Sequence, residues 1–362
     1  MKDGRVASNA RIKAVLPTIE YVVSKGAKVI LMSHLGRPAE GVPIERQREF
    51  SLEPVARELS NLGFLRVRLE PNYLNGCEFE DNEIVLLENV RINVGEKSND
   101  DDLAKKLATL CDVYVMDAFA TSHRAHASTE GVARYAPIAC AGPLLLKELK
   151  ALEKARHYPA KPVVAIVGGS KVSTKLPLLS ALSQQVDGLI VGGGIANTFL
   201  AASGKQIGKS LFEPEMEDIA KRILEQGQIC LPVDVLVSSS PEDSKKNVVK
   251  DVDEVSPEDR ILDIGPLSIS KNREWLKGAK TIIWNGPLGV FEIPDFSRGT
   301  SELAASIKES DAFSLAGGGD TLAAIEKFGG AEGISYVSTG GGAFLELLEG
   351  KALPAVLALE RQ

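Results

Sequence analysis

Four segments in the second half of this sequence run from a short apolar stretch into glycines and then into a helical pattern. Their glycine groups are at 168–169, 192–194, 317–319 and 340–342. Glycine lets backbone N–H groups approach a phosphate closely, and a helix start adds unpaired N–H groups. Because ligands bind at the carboxyl ends of strands in open α/β sheets, the pattern predicts a phosphate site in this half. Neither GxGxxG nor the P-loop sequence is present.

Charged side chains accompany two of these glycine groups. Lys171 and Lys175 follow Gly169 at a predicted helix start, where two cations on one face repel each other and oppose the helix dipole. A bound polyphosphate would turn both costs into attraction, whereas the alternative is two solvated surface lysines. Asp320 follows the third group, where a helix N-cap and a carboxylate beside magnesium are both compatible with its position.

The stretch 284–292 leaves a predicted strand and enters a loop. Its Asn285 and Glu292 are side chains that could hold a sugar or a base. Taken alone, the same stretch is typical of a turn with a surface glutamate.

The first half instead places basic residues after strands and at a helix start. His34 and Arg37 follow one predicted strand, Arg91 follows the next, Arg124 follows a third, and Arg11 lies early in a helical pattern. Guanidinium groups bind carboxylates and phosphates through paired hydrogen bonds. Any one of them is more typical of a solvated surface, but together at one sheet edge they indicate a site for a small polyanion. No catalytic nucleophile is indicated by the sequence.

These side chains require a framework of strands whose carboxyl ends meet. Apolar strands are predicted at 27–32, 84–87, 113–116, 163–167, 188–191, 281–284, 313–315 and 335–337, with helices that include 101–110, 176–185 and 300–310. Most of these strands are continuously apolar, as strands buried on both faces are. The alternation predicts parallel sheets with helices on both sides.

The predicted fold is α/β, with two doubly wound, Rossmann-like parallel-sheet domains joined by a hinge helix, since 362 residues exceed one comfortable core. The first domain is predicted at 1–142, the connecting helix at 143–158, and the second domain at 159–342. A C-terminal segment at 343–362 is predicted to be helical up to Pro354. The alternative for the connecting helix is an ordinary crossover helix.

Bulk properties exclude several classes of protein. The net charge of −7 argues against nucleic acid as the main partner. No apolar run approaches 18 residues, so no membrane span is predicted. The four cysteines lack CxxC spacing and are predicted to be reduced, cytosolic and mostly buried; they are Cys77, Cys111, Cys140 and Cys230. The N-terminal residues lack the apolar stretch of a signal peptide.

The motifs, taken together and in order, resemble those of the phosphoglycerate kinase family over nearly the whole chain. They are SHLGRP at 33–38, ENVR at 88–91, DAF at 117–119, HRAHAS at 123–128, GGSKVS at 168–173, WNGP at 284–287 and GGGDT at 317–321. The resemblance implies a monomeric cytoplasmic enzyme. Its C-terminal segment is expected to return to the first domain.

The family reaction is reversible phosphoryl transfer between 1,3-bisphosphoglycerate and Mg-ADP, giving 3-phosphoglycerate and Mg-ATP in glycolysis and gluconeogenesis, by in-line transfer on domain closure. The resemblance implies that phosphoglycerate is bound by Arg11, His34, Leu35, Gly36, Arg37, Arg91 and Arg124. It implies that the nucleotide is bound by Gly169, Lys175, Gly193, Gly194, Asn285, Glu292, Gly318, Gly319, Asp320 and Thr321, with Asp320 serving Mg²⁺. The transferring phosphoryl group is expected to be stabilised by Arg11, Lys171, Gly318 and Gly341.

The sequence departs from the family pattern at its start. The family begins with a strand carrying an Arg-x-Asp-x-Asn motif before a Lys-Asp-Gly turn, and here only Met1 precedes that turn at 2–4. A missing strand would expose unpaired backbone and remove two substrate-binding groups. This leaves a catalytically impaired nucleotide-binding form as an alternative function. A dinucleotide-dependent dehydrogenase is a third reading, which the absence of GxGxxG disfavours.

Overall fold

The computed structural model describes residues 4–7, 9–63, 66–80, 83–242 and 247–361. The chain divides into two compact units, Met1–Leu149 with Ala352–Gln362, and Lys150–Lys351. Met1, Lys2 and Asp3, which carry the predicted departure from the family pattern, lie outside the described residues. None of the helices in the described part of the chain is both long and apolar enough to cross a membrane.

The first unit contains two small parallel sheets. Its strands are β1 (Val29–Leu31), β2 (Val67–Glu70), β3 (Ile84–Leu87), β4 (Val113–Met116) and β5 (Ile138–Ala141). The order β1-β3-β2 places β3 in the centre of one sheet, and β4 pairs with β5 in the other. All four residues of β3 are buried, as its continuous apolar sequence predicts. The edge strand β2 was not predicted, because it alternates apolar with charged residues and is only half-buried.

Helices of the first unit cover these strands. They are α1 (Ala10–Ser24), α2 (Glu53–Asn61), α3 (Asp101–Ala108), α4 (Val132–Tyr135) and the start of α5 (Pro143–Arg156), which continues into the second unit. Asp117, directly after β4, fixes two of them. Its carboxylate accepts a hydrogen bond from the N–H of Leu145 in the first turn of α5, at 2.9 Å, and another from the hydroxyl of Thr18 in α1. The predicted helix start at Pro143 is confirmed.

The second unit is built on a six-stranded parallel sheet. The strands of the whole second unit are β6 (Val163–Val167), β7 (Gly188–Val191), β8 (Ile229–Cys230), β9 (Asp234–Ser238), β10 (Val248–Asp251), β11 (Arg260–Ile264), β12 (Thr281–Asn285), β13 (Phe313–Ala316) and β14 (Tyr336–Val337). The parallel sheet has the order β14-β13-β12-β6-β7-β8. Its helices are α6 (Leu176–Gln185), α7 (Gly193–Ala202), α8 (Glu217–Gln226), α9 (Pro266–Gly278), α10 (Arg298–Lys308), α11 (Gly319–Lys327) and α12 (Gly342–Leu348). The predicted α/β class is confirmed.

The expectation of parallel sheets throughout is wrong for one part of the second unit. Strands β9, β10 and β11 form an antiparallel sheet of order β10-β9-β11. The segments between these strands are too short for the crossover that parallel neighbours need, so the chain turns back on itself.

The C-terminal segment was predicted to be helical up to Pro354, and this prediction is wrong. Helix α12 ends at Leu348, and Gly350 with a φ of +91° takes the chain out of the helix. Pro354 instead begins α13 (Pro354–Leu359), because proline suits the first turn of a helix. Helix α13 belongs to the first unit, where the N–H of Ala355 donates to the backbone oxygen of Ser122 at 3.1 Å.

The cysteines are less buried than the sequence suggested. All four are unpaired thiols, but only Cys230 is buried, and Cys140 is exposed. Cys140 lies on β5, whose residues alternate between exposed and half-buried positions.

Candidate functional site

Basic side chains of the first unit cluster around His34, which follows β1. Burial, followed in order of importance by the positive charges of Arg91, Arg124, His126 and Arg11, lowers the pKa of His34 from 6.5 to about 3. The imidazole is therefore neutral at physiological pH in the free protein. The basic side chains around the half-buried His34 form a site suited to a multiply charged anion.

Arg91 lies at the centre of this basic cluster. Burial, followed by the charges of Arg124 and Arg37, lowers the pKa of its guanidinium, while Glu96 opposes the shift. Its Nη1 donates to the backbone oxygen of Gly36 at 2.7 Å, whereas its buried Nε has no hydrogen-bond partner. The structure thus brings Arg11, His34, Arg37, Arg91 and Arg124 into one electrostatic neighbourhood, although the strands before His34 and Arg124 belong to two separate sheets.

Two buried polar residues after β3 hold the loops of the basic cluster. Glu88 accepts a hydrogen bond from the N–H of Leu52 at 2.8 Å. The side-chain amide of Asn89 donates to the backbone oxygens of Leu35 at 2.8 Å and Phe50 at 2.9 Å. Because these carbonyls are tied to fixed side chains, the loop after β1 has a defined path.

Leu35 and Gly36 contribute to this half of the site through their backbones. Their carbonyl oxygens accept from Asn89 and Arg91 respectively. Gly36 has a φ of +60°, and a Cβ there would lie 2.5 Å from the ring of Phe50. Only glycine fits both the conformation and the space.

His126 and Glu96 belong to the cluster but were not among the predicted site residues. The carboxylate of Glu96 is 1% exposed and accepts hydrogen bonds from the N–H of Ser128 at 3.0 Å and from its hydroxyl at 2.6 Å. Its Oε1 lies 3.6 Å from Nδ1 of His126. The HRAHAS motif was a signal for His126, whereas Glu96 comes from a loop with no recognisable pattern.

In the second unit, Lys175 lies at the carboxyl ends of β6 and β12. Its Nζ donates to the backbone oxygens of Gly168 and, at 3.2 Å, of Asn285. Burial lowers the pKa of Lys175 from 10.5 to about 8, and the nearby carboxylate of Asp320 partly opposes this shift. The lysine and the carboxylate, predicted separately, therefore lie within electrostatic range of each other.

The prediction that Lys171 and Lys175 share one helical face is wrong. Helix α6 begins at Leu176, Lys175 is its N-cap residue, and Lys171 lies exposed in the preceding turn. Pro177 sets this start, because proline is tolerated in the first turn of a helix and not further inside it.

Asp320 is the second residue of α11 and is exposed to solvent. The N-cap of α11 is Gly318, with a φ of +102°, so the N-cap alternative for Asp320 is wrong. A carboxylate in the first turn remains favourable because of the helix dipole.

Asn285 and Thr321 tie the end of β12 to the end of β13. The side-chain amide of Asn285 donates to the backbone oxygen of Gly317 at 2.7 Å, while its buried Oδ1 has no hydrogen-bond partner. The hydroxyl of Thr321 accepts from the N–H of Gly286 at 2.8 Å and donates to the same Gly317 oxygen at 2.8 Å. These bonds fix two of the glycine-rich exits relative to each other.

The glycines of these exits fall into two groups. A Cβ would collide with a neighbouring loop at Gly168, Gly193 and Gly194; at Gly168 it would lie 1.8 Å from the backbone oxygen of Pro287. Packing alone explains glycine at those positions. At Gly319 and Gly341, in contrast, no atom lies within 4 Å of such a Cβ. These two have open space where a side chain would project.

Glu292 is exposed on the loop after β12, and Lys327 holds the backbone of that loop. The ammonium of Lys327, at the end of α11, donates to the backbone oxygens of Phe291 at 2.6 Å and Glu292 at 3.1 Å. Lys327 had no signal in the sequence, because its partners are distant along the chain.

Known proteins resemble this chain over its whole length. A family-level sequence model described as "Phosphoglycerate kinase" matches residues 1–351. Curated relatives with the same name from two strains of Haemophilus influenzae, PittGG and ATCC 51907 / DSM 11121 / KW20 / Rd, are each 58% identical over 362 residues, covering 100% of this chain and 93% of the relative.

Solved structures of the same kind of protein give matching folds. The structure of phosphoglycerate kinase from Coxiella burnetii is 51% identical with a TM-score of 0.93, covering 100% of this chain and 93% of the other. The crystal structure of the phosphoglycerate kinase from Pyrococcus horikoshii OT3 is 35% identical with a TM-score of 0.85, covering 99% and 93%.

Proposed function

Since this chain belongs to the phosphoglycerate kinase family, we propose how the residues of its two units divide the work of that family's reaction. The enzyme is a phosphotransferase that transfers a phosphoryl group reversibly from 1,3-bisphosphoglycerate to ADP, giving 3-phosphoglycerate and ATP, in glycolysis and gluconeogenesis. The comparisons give no support to the catalytically impaired alternative.

The first unit binds the phosphoglycerate. The observation that supports this is the basic cluster around His34, in which burial, followed by repulsion between the cations, lowers the pKa values of His34 and Arg91. A phosphate and a carboxylate on one small molecule would relieve that repulsion, and guanidinium groups suit both. Phosphoglycerate therefore binds to Arg11, His34, Arg37, Arg91 and Arg124, with Leu35 and Gly36 shaping the loop.

The second unit binds the nucleotide at the exits of β6, β7, β12 and β13. Lys175 faces the phosphates, because its buried ammonium, with a pKa lowered to about 8, gains from a nearby anion. Glu292 reaches the ribose, and Asn285 and Thr321 hold the site together. Glycine at the strand exits lets the backbone approach the nucleotide closely; these residues are Gly169, Gly193, Gly194, Gly318 and Gly319.

Lys171, Arg11 and the backbone N–H groups of Gly318 and Gly341 stabilise the phosphoryl group in transfer. In-line transfer through a loose transition state needs charge neutralisation and alignment rather than a nucleophilic side chain. Removing one well-placed donor from such a site costs roughly 3–4 kcal/mol of transition-state stabilisation. Lys171 is exposed in its turn, so its ammonium is accessible to a substrate.

Mg²⁺ is the metal ion that fits the residues present. Asp320 offers an exposed carboxylate at the start of α11, and oxygen ligands are those that Mg²⁺ prefers. Asp320 would hold the ion together with nucleotide phosphate oxygens, and the bound ion would neutralise phosphate charge.

The substrates are small molecules, and we expect no nucleic acid or membrane partner, a monomer, and a cytoplasmic location. The proposed hinge is α5, whose residues divide between the two units. The first unit is the phosphoglycerate domain with the C-terminal α13, and the second is the nucleotide domain.

A coupled assay of ATP formation and consumption tests the division of work. Arg37→Ala is expected to raise the KM for 3-phosphoglycerate about tenfold or more with little change for ATP, and Lys175→Met is expected to do the reverse. Arg57→Ala on α2 and Lys277→Met on α9 are matched controls, since both side chains are exposed. If Arg37→Ala changed the KM for ATP instead, the proposed assignment would be wrong.

A further inference from the structure

Glu213 links the turn that carries Lys171 to the interior of the second unit. Its carboxylate is 8% exposed and accepts two hydrogen bonds from Ser173, one from the backbone N–H at 2.8 Å and one from the hydroxyl. These hydrogen bonds lower the pKa of Glu213 despite its burial, and the positive charge of Lys171 contributes. Glu213 is thus a buried, ionised acceptor for Ser173, which lies two residues after Lys171 in the chain.

Glu213 is itself fixed by α7. Its backbone N–H donates to the hydroxyl of Thr198 at 3.1 Å, and that hydroxyl donates to the backbone oxygen of Gly194 at 2.9 Å. Asn197, also on α7, donates to the backbone oxygen of Leu211 at 3.0 Å. The segment before and at Glu213 is therefore attached to one of the glycine-rich strand exits.

The turn from 171 to 175 also has internal hydrogen bonds, but they are local. The N–H of Lys175 donates to the oxygen of Val172 at 2.9 Å, and the hydroxyl of Thr174 donates to the oxygen of Lys171 at 2.9 Å. Such bonds set the shape of the turn without fixing where it lies in the unit. The bonds of Lys175 to the oxygens of Gly168 and Asn285 place the end of the turn next to α6, and the pair of bonds from Ser173 to Glu213 places the part nearer to Lys171.

We propose that Glu213 is a positioning residue for the reaction, which holds the Lys171 turn in place so that the Lys171 ammonium meets the transferring phosphoryl group. This inference rests on the proposed role of Lys171. Because that role lies in the transition state, displacing the turn lowers kcat more than it weakens nucleotide binding. A displacement near 1 Å is enough to reduce the rate strongly.

The test is steady-state kinetics of Glu213→Gln, which keeps the shape of the side chain but removes its charge. The expected result is a kcat lowered about tenfold with a KM for ADP within about twofold of the wild type. Ser173→Ala is expected to lower kcat by a smaller factor. The double variant is expected to lower kcat no further than Glu213→Gln alone, because the two residues act through one contact. Glu215→Gln, at an exposed carboxylate two residues along, is the matched control.

Two further variants separate this inference from the function on which it rests. Lys171→Met should lower kcat, and adding Glu213→Gln to it should lower kcat no further, since the glutamate acts through the lysine. If Lys171→Met lowers kcat while Glu213→Gln does not, the positioning role is overturned and the proposed function stands. If Lys171→Met keeps full activity, the role of Lys171 fails, and this inference fails with it. A lower melting temperature with unchanged kcat would mean that Glu213 is purely structural.

Discussion

The ammonium of Lys175 lies 3.2 Å from the backbone oxygen of Asn285 and also donates to the oxygen of Gly168. Asn285 is the last residue of β12 and Gly168 directly follows β6, and these adjacent parallel strands pair Asn285 with Val167. A lysine from the turn before α6 therefore caps the carboxyl ends of two strands. At these strand ends the ammonium is hydrogen-bonded to backbone carbonyl oxygens, which are neutral. A bound phosphate, which is charged, is therefore expected to change the protonation of Lys175.

Nucleotide binding near pH 8 is expected to take up protons at Lys175. The pKa of Lys175 is lowered to about 8 in the free protein, so a substantial fraction is neutral there. Phosphate oxygens favour the charged form, raise this pKa and draw a proton from the buffer. Calorimetry of ADP binding at pH 8 in two buffers of different ionisation enthalpy measures the uptake.

Lys175→Arg is the control for this experiment, because a guanidinium stays charged at pH 8. The buffer dependence is expected to disappear in the variant and to shrink in the wild type at pH 6.5. Equal heats in both buffers for the wild type at pH 8 would contradict the lowered pKa.

His34 is expected to make the protein less stable in mild acid. Its pKa is about 6.5 when unfolded and about 3 when folded, so the unfolded state binds more protons between these values. The stability contributed by neutral His34 is therefore full above about pH 6.5 and is lost as pH falls toward 3. Urea unfolding at pH 7 and pH 5 measures the loss.

The comparison that isolates this effect is with His34→Gln, which cannot gain a proton. The variant should lose less stability than the wild type between the two pH values, and inorganic phosphate should narrow the difference by favouring the charged imidazole. Parallel losses in both proteins would show that other groups dominate the acid response.

Substitution by alanine is expected to affect protein stability differently in the two groups of glycines. Gly168→Ala places a Cβ 1.8 Å from the backbone oxygen of Pro287 and should lower the free energy of unfolding by at least 1–3 kcal/mol, roughly the usual cost of overpacking. Gly319→Ala meets no atom within 4 Å and should leave the melting temperature nearly unchanged. If Gly319 lies beside the nucleotide, its variant raises the KM for ATP without loss of stability.

The sequence predicted those parts of the fold that are encoded locally. The strands at 84–87, 163–167 and 188–191 were found because each is continuously apolar and buried on both faces. The antiparallel sheet was missed, since strand direction depends on how short connections fold back. The helix at 176–185 was predicted with its observed bounds, whereas Lys171 was expected at the helix start and instead lies in the turn before it.

The candidate site was predictable where a motif carried it and not where it depends on contacts. Arg91 lies in a motif and Lys175 lies two residues after one, and the structure gives both a perturbed pKa. Glu96, Glu213 and Lys327 come from separate segments and act on partners 32 to 40 residues away along the chain, so spacing could not reveal them. Burial and hydrogen bonding identify such residues only after the chain has folded.

Glu96 is expected to stabilise the first unit through its buried carboxylate. Glu96→Gln replaces one acceptor oxygen by an N–H₂ donor facing the donors of Ser128, and it removes the negative charge near Arg91 and His126. Hydrogen bonds to a charged group contribute about 1.5–3 kcal/mol, so the free energy of unfolding should fall by about that amount. Asp102→Asn, at an exposed carboxylate on α3, is the control for urea unfolding.

Lys327 is expected to affect nucleotide binding through the loop of Glu292. Lys327→Met keeps the aliphatic length of the side chain but removes the hydrogen bonds to the oxygens of Phe291 and Glu292, so the loop loses its attachment to α11. If Glu292 contacts the ribose hydroxyls, the preference for ATP over 2′-deoxy-ATP should fall in Lys327→Met about as far as in Glu292→Gln, and no further in the double variant. The ratio of kcat/KM for the two nucleotides measures this preference, and Lys308→Met, at another lysine bonded to a backbone oxygen, is the control. A preference that is lost in Glu292→Gln and kept in Lys327→Met would mean that the loop holds its place without the lysine.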